Sequence, residues 1–204
     1  MREPAMPGAR MTLLRHARQL PTLAGEFARE LVLAAARSTN SDLGRFARAT
    51  LFHTRAHIDT DVRITHPRQF SAPAGAAVFH GTYILNTRGT VTLGRRSHLG
   101  AGCYVNASRG RLILGDDVVV GPKCVFVCNS NHFEYAKAVS ETYKTGDIVI
   151  GNNVFLGAAC TVLPNTIIED NVVVAAGAVV RGTLASNRIY GGVPCKELSE
   201  GWYE

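Results

Sequence analysis

Aliphatic side chains recur every six residues between positions 150 and 180. Ile150, Leu156, Val162, Ile168, Val174 and Val180 open successive hexads. Four residues after most openers stands a small or β-branched residue: Val154, Cys160, Thr166, Val172 and Ala178. Gly or another small or polar residue usually follows the opener. A period of six would scatter these positions around an α-helix. It suits a coil of short parallel strands, in which each hexad forms one flat face. Opener and small residue then both point inward, and stacked coils bury a continuous apolar column. Backbone hydrogen bonds would run between coils at the strand spacing of roughly 4.8 Å.

The pattern extends backwards in altered form. Leu114, Val120 and Phe126 open three hexads, as do Leu93, Leu99 and Val105, preceded by Val78 and Ile84. Here the spacing runs six, six, nine, so a coil takes 21 residues and one corner carries three extra. Residues 86–94 (NTRGTVTLG) and 107–115 (ASRGRLILG) are copies of each other at that period. After Phe126 the next opener is Ile150, 24 residues on. A solenoid that skips such a stretch has extruded a loop, here about 129–147. Loops on rigid scaffolds commonly carry chemistry.

The hexads, the Ser130-Asn131-His132 run in that loop, the GNNVFLGAACTVLPNTII stretch and the closing GGVPCKEL (191–198) resemble the hexapeptide-repeat acyltransferases. The resemblance is nearest to the galactoside/maltose-type and polysaccharide O-acetyltransferases, and covers about 72–198. It implies an all-β fold, a single-stranded left-handed parallel β-helix with an N-terminal helical segment. The handedness comes from the resemblance, since periodicity does not show it, and it departs from the usual crossover rule. The expected organisation is a helical cap over 1–71, the β-helix over 72–198 and a short tail over 199–204.

The N-terminal part changes the picture of charge. Residues 1–70 hold 11 Arg against 6 acids, most of the net +6. This describes either a solvated or interface face, or attraction to an anionic partner such as a phosphorylated cofactor, a lipid-linked glycan or a membrane surface. Arg without interleaved aromatics argues against nucleic acid. Residues 1–10 read as a flexible start without signal-peptide character, and no apolar run suits a membrane span. The chain is therefore expected in the cytoplasm, with peripheral membrane contact as an alternative. A helix is predicted over 21–37, with Leu23, Phe27 and Leu31 on its apolar side. A second, capped by Ser41, is predicted to run through His53 with Leu43, Phe46 and Thr50 on one side. Both would cover the open end of the solenoid. Residues 54–71 read as ambiguous, with Val62 and Ile64 as the start of a poor coil.

Cys103, Cys124 and Cys160 fall at the small inward position and read as buried hydrophobes. Cys195 lies in the closing motif. Cys128 stands four residues before His132, which raises the alternative of a Cys–His nucleophile pair. His80 and His98 sit at different hexad positions. That matters because the same fold hosts a zinc carbonic anhydrase that needs a three-His cluster; no metal is expected here.

The resemblance assigns roles. His132 would be the general base that takes a proton from an acceptor hydroxyl as it attacks a thioester carbonyl, then passes it to the departing thiolate. The Ala158 N–H would face the oxyanion. Ala158, Ala176, Arg181 and Lys196 match positions that contact coenzyme A, the two cations at its phosphates. Gly157-Ala158-Ala159 and Ala175-Ala176-Gly177, 18 residues apart, would leave a groove for a pantetheine arm, or else simply serve a corner that needs small residues. Asn129, Asn131 and Tyr135 are candidate acceptor contacts. The implied activity is acetyl-CoA-dependent O-acetylation of a sugar or glycan, by a homotrimer with active sites between subunits. Two departures stand out. Phe155 occupies a position where relatives carry Trp, and Gly100-Ala101-Gly102 offers no counterpart to a sugar-contacting Asn. Alternatives are an N-acyltransferase on an amino sugar or antibiotic, and a non-catalytic β-helix scaffold.

Overall fold

The computed structural model describes residues 41–198 together with Gly25, Phe27, Ala28, Glu30, Leu31, Ala34 and Ala36. Short strands stack into three parallel sheets, the faces of a prism. Face 1 runs from His57–Ile58 through Ala77–Val78, His98–Leu99, Val119–Val120, Phe155–Leu156 and Val172–Val174 to Arg188–Gly191. Face 2 stacks Arg63–Ile64, Tyr83–Leu85, Tyr104–Asn106, Val125–Val127, Thr161–Val162 and Val179–Val180. Face 3 stacks Phe70–Ser71, Thr90–Thr92, Arg111–Leu114, Ile148–Ile150, Thr166–Ile168 and Thr183–Leu184. Each turn of chain visits the three faces in order, and every neighbouring pair within a face is parallel except the closing strand Lys196–Glu197.

The hexad logic accounts for the core. All the openers from Val78 to Val180 are buried, as are the small inward residues Val154, Cys160, Thr166, Val172 and Ala178. Buried hydroxyls and thiols turn onto carbonyls of the next coil: Ser97 Oγ donates to Gly115 O at 2.6 Å, Thr82 Oγ1 to Gly100 O at 3.0 Å and Cys124 Sγ to Gly157 O at 3.2 Å. The cost of burying them is thereby met by a hydrogen bond. Corners need positive φ, supplied at the turn between faces 3 and 1 by Asp117, Asn153, Asn171 and Asn187. Asp and Asn tolerate that conformation. The asparagines also ladder, Asn153 Nδ2 donating to Asn171 Oδ1 at 2.8 Å and Asn171 Nδ2 to Asn187 Oδ1 at 3.1 Å.

The N-terminal reading needs two corrections. The solenoid starts at His57, not near residue 72: His57–Ile58 pairs with Ala77–Val78, and Arg63–Ile64 with Tyr83–Leu85. Ile58, Ile64 and Phe70 are buried openers spaced by six; the neighbouring Arg63, Pro67 and Arg68 hide that spacing. The second correction concerns helix α1, Asp42–Leu51. Its cap is as expected, with the Gly44 N–H donating to Ser41 Oγ at 3.2 Å. Its buried side differs: Phe46 is 70% exposed, while Arg48 and Phe52 are buried. Arg48 donates from Nε to Ile58 O at 2.6 Å and from Nη1 to Ala36 O. The helix therefore turns a cation toward the unpaired edge of the first strand, where carbonyls need donors. The described part of the 21–37 segment is helical. The flexible start over 1–10, Leu23 and the 199–204 tail lie outside the described residues, as does the Leu43 side chain. Among the described residues no helix is long and apolar enough to cross a membrane.

Candidate active site

The ladder on face 3 steps directly from Arg111–Leu114 to Ile148–Ile150. The chain between them leaves the corner joining faces 2 and 3 and returns as a two-stranded antiparallel ribbon, Asn129–Asn131 against Tyr143–Thr145. Its root is tied. The Gly146 N–H donates to Cys128 O at 2.9 Å, and Asp147 accepts from the N–H and side chain of Arg111.

His132 follows the outgoing strand, and its N–H donates to Thr142 O at 3.1 Å. Thr142 Oγ1 donates in return to His132 O. The backbone of His132 is thus held by the ribbon, and its side chain is exposed. Among the described residues no group hydrogen-bonds its imidazole. Asn129 and Asn131, expected at an acceptor, spend their side chains on the ribbon. Asn129 Oδ1 accepts from Thr145 Oγ1 at 2.8 Å, and Asn131 Nδ2 donates to Val139 O at 3.0 Å. Tyr135 sits 89% exposed near the tip.

Cys128 cannot join His132 as a nucleophile. Its thiol is fully buried, turned onto Arg111 O, and burial followed by the charge of Asp147 pushes its pKa up to about 12. His98 packs edge-on against Phe79 and His80 lies 3.6 Å from Asp59. Among the described residues no three His, Cys, Asp or Glu groups converge on a point.

Ala158 and Ala176 lie at a different corner, between faces 1 and 2, one coil apart. The 192–195 turn wraps under the same corner, since Val179 N–H donates to Gly192 O at 3.1 Å and Cys195 N–H to Val179 O at 2.9 Å. Lys196 follows it, exposed, on the strand paired with Gly191. The structure separates two reasons for small residues here. Gly157 is dictated by stacking: a Cβ there would stand 2.5 Å from Ala176 N. Ala158 occupies the turn position that Pro122 takes in the preceding coil, so stacking does not demand a methyl. Among the described residues its N–H has no acceptor, while its carbonyl accepts from Gly177 N–H at 2.8 Å.

Arg181 belongs with the ribbon instead. It lies at the corner between faces 2 and 3, two coils below the ribbon's root. It lines a recess of about 370 Å³ with Ser130, Asn131, Lys144 and Asn165. One chain thus gathers Ala158, Ala176 and Lys196 at one corner, and His132 and Arg181 at the next. Sequence reading missed Lys144, Asn165 and Arg109, whose guanidinium lies 4.9 Å from the Tyr143 ring centroid. The ribbon's pairing brings Lys144 there, and the stacking of coils brings Asn165.

Two family models match: bacterial transferase hexapeptide (six repeats) over 147–182, and hexapeptide repeat of succinyl-transferase over 88–107. The "Putative lipopolysaccharide biosynthesis O-acetyl transferase WbbJ" of Escherichia coli K12 is 38% identical over 108 residues, covering 48% of this chain and 55% of that protein. The galactoside O-acetyltransferase of the same organism is 27% identical over 112 residues, covering 52% and 55%. The chain thus spans about half the length of the curated relatives it matches. The solved N-acyltransferase AntD of Bacillus cereus, in complex with dTDP and 3-hydroxybutyryl-CoA, superposes with a TM-score of 0.65 at 20% identity over 74% of this chain and 84% of its own. The fold is therefore the left-handed parallel β-helix, and the chain is similar to hexapeptide-repeat acetyltransferases over about half its length.

Proposed function

We propose that the chain is an acetyl-CoA-dependent O-acetyltransferase acting on a hydroxyl of a sugar or surface glycan. The observation that carries this reading is the exposed His132, its backbone held by a ribbon at the one skipped coil of the described solenoid. His132 accepts the proton of the attacking hydroxyl and returns it to the leaving sulfur. Coenzyme A supplies an acyl group already activated as a thioester, so no covalent enzyme intermediate is needed. The residues present suit that cofactor. Ala158 offers an N–H without an acceptor to the oxygen where negative charge develops. Ala176 keeps the same corner low, and Lys196 and Arg181 are exposed cations for phosphate. Oxygen as the acceptor atom rests on the two O-acetyltransferase relatives; the solved N-acyltransferase shares the fold.

A single chain holds His132 and Ala158 at different corners. A second copy must bring its Ala158 corner to the ribbon, which makes the site an interface. Outward apolar residues support such packing: Val119 and Phe155, register partners on face 1, are 37% and 45% exposed. Cyclic closure satisfies every such face, and the number three follows the family resemblance. The basic 1–70 segment suits peripheral contact with an anionic membrane from the cytoplasm, where acetyl-CoA is made available to a glycan acceptor.

The test is incubation of the purified protein with acetyl-CoA and a panel of sugars and glycans. The expected product is heavier by one acetyl group and loses it in mild base, as an ester does. An acetyl group stable to mild base would replace this reading with N-acylation. Absence of both product and coenzyme A binding would leave a scaffold.

A further inference from the structure

Four arginines on the coils are neutralised by acids. Arg95 pairs with Asp116, Arg96 with Asp117, Arg111 with Asp147 and Arg188 with Glu197. The hydrogen bond from Arg111, then its charge, holds the Asp147 carboxyl below the usual range. Lys144 and Arg181 differ. Neither forms an ion pair with an acid among the described residues, and both line the recess beneath the ribbon.

The recess spans three levels of one corner. Lys144 comes from the returning strand, directly opposite Ser130. Leu163, Pro164 and Asn165 form the middle level, and Arg181 the lowest. Two coil spacings of about 4.8 Å separate the outer levels, a gap that two long side chains bridge with room for a ligand. No carboxylate lines the recess. Two like charges facing one partly enclosed space repel, and that repulsion grows as water is excluded. An anion between them removes it and accepts from both. Ser130 and Asn165 add neutral hydrogen-bonding groups of the kind that surround phosphate and carboxylate oxygens. Ser130 is also two residues from His132, so alternation along a strand sends both to the same side of the ribbon.

We propose that this recess is an anion subsite of the transfer site, in which Lys144 and Arg181 jointly hold a phosphate or carboxylate group of a ligand. The assignment of Lys144 is new. It also changes the environment of Arg181, which acts with a ribbon cation and not with the Ala158 corner of its own chain. The inference rests on the acyl-transfer reading only for the ligand's source, which is either the phosphate end of coenzyme A or an acidic group on the acceptor.

The experiment uses the full chain and the exposed-site variants Lys144→Met and Lys144→Arg. Calorimetry measures binding of coenzyme A, dephospho-coenzyme A and inorganic pyrophosphate. Steady-state kinetics compare an acidic sugar acceptor, glucuronate, with neutral glucose. Loss of one charge-assisted contact is expected to weaken the anion that uses it about tenfold, or about 1.4 kcal/mol, with Lys144→Arg retaining most binding. A loss for coenzyme A that shrinks for dephospho-coenzyme A assigns the subsite to the cofactor. A loss confined to glucuronate assigns it to the acceptor. Weakened pyrophosphate binding in a protein that acetylates nothing keeps the subsite and discards the acetyltransferase reading. Unchanged affinity for every anion in Lys144→Met, with transfer intact, overturns the subsite and leaves that reading standing.

Discussion

Arg111 and Asp147, 36 positions apart, close the root of the extruded loop: the Arg111 N–H reaches Asp147 Oδ1 at 2.8 Å, and Nε and Nη2 reach Oδ2 at 2.9 and 2.6 Å. One carboxylate thus caps a backbone donor and a guanidinium at the point where the coil resumes. Hydrogen bonding by Arg111 depresses the native pKa of Asp147. The stabilisation is therefore fully present above the ordinary carboxylate value of about 3.9, and is lost as pH falls through the lower native value. We expect limited proteolysis of the wild-type ribbon to accelerate across that acid window. In Asp147→Asn cleavage should be faster at neutral pH and change little through the window. A variant whose ribbon is as resistant as the wild type at pH 7 would show that the pair does not hold the root.

The His132→Ala variant should keep the fold and its affinity for coenzyme A while turnover drops by roughly 10²–10⁴, the usual worth of a general base. The side chain is exposed and forms no hydrogen bond among the described residues, so its removal costs the scaffold little. Near-normal turnover with the best acceptor would remove His132 from the mechanism.

Neighbouring small residues at one corner should respond in opposite ways. Gly157→Ala puts a Cβ 2.5 Å from Ala176 N, and overpacking of this kind costs about 1–3 kcal/mol. Ala158→Leu points out from the same turn and should leave the melting temperature within a few degrees of wild type. It should instead raise the KM for acetyl-CoA and, by crowding the free N–H, lower kcat. Thermal melts and steady-state kinetics check both. Equal destabilisation by the two changes would mean that the alanine, too, is small only because coils stack.

The fold was readable because its core is written directly in the chain. Each opener from Val78 to Val180 occupies the inward position that the six-residue period assigns, and the break after Phe126 marks the ribbon. The first coil was left ambiguous although Ile58, Ile64 and Phe70 keep the same period, because Arg63, Pro67 and Arg68 interrupt it with residues that mimic a loop. The Phe46 side of helix α1 was misjudged for a different reason. Apolarity suggested burial, but the uncapped carbonyl of Ile58 selects Arg48. His132 stood out by its position. Lys144 did not, since its relation to Ser130 and Arg181 depends on an antiparallel pairing that hexad periodicity does not encode. Asn129 and Asn131 show the converse: polar residues beside a catalytic candidate can be spent on bracing the loop that carries it.

The separation of His132 from Ala158 predicts how impaired variants should behave together. In one chain the two residues lie at corners joined by the width of face 2, so under the proposed reading a site that uses both would draw them from neighbouring subunits. His132→Ala and Ala158→Leu should each be strongly impaired when expressed alone. Co-expressed with different affinity tags and purified through both, the mixed trimers should recover activity. Random mixing in a ring leaves about one quarter of the interfaces with an intact His132 facing an intact Ala158, because each ordered neighbour pair has that composition with a chance of one half times one half. Selecting for both tags enriches the mixed rings and raises that fraction to about one third, since a two-plus-one ring holds one productive interface in three. Sedimentation equilibrium establishes the assembly beforehand, and a fully active monomer would end the shared-site reading at that step. Mixed trimers that assemble but stay inactive would place His132 and Ala158 in the same chain's site, which would require the ribbon to fold across face 2.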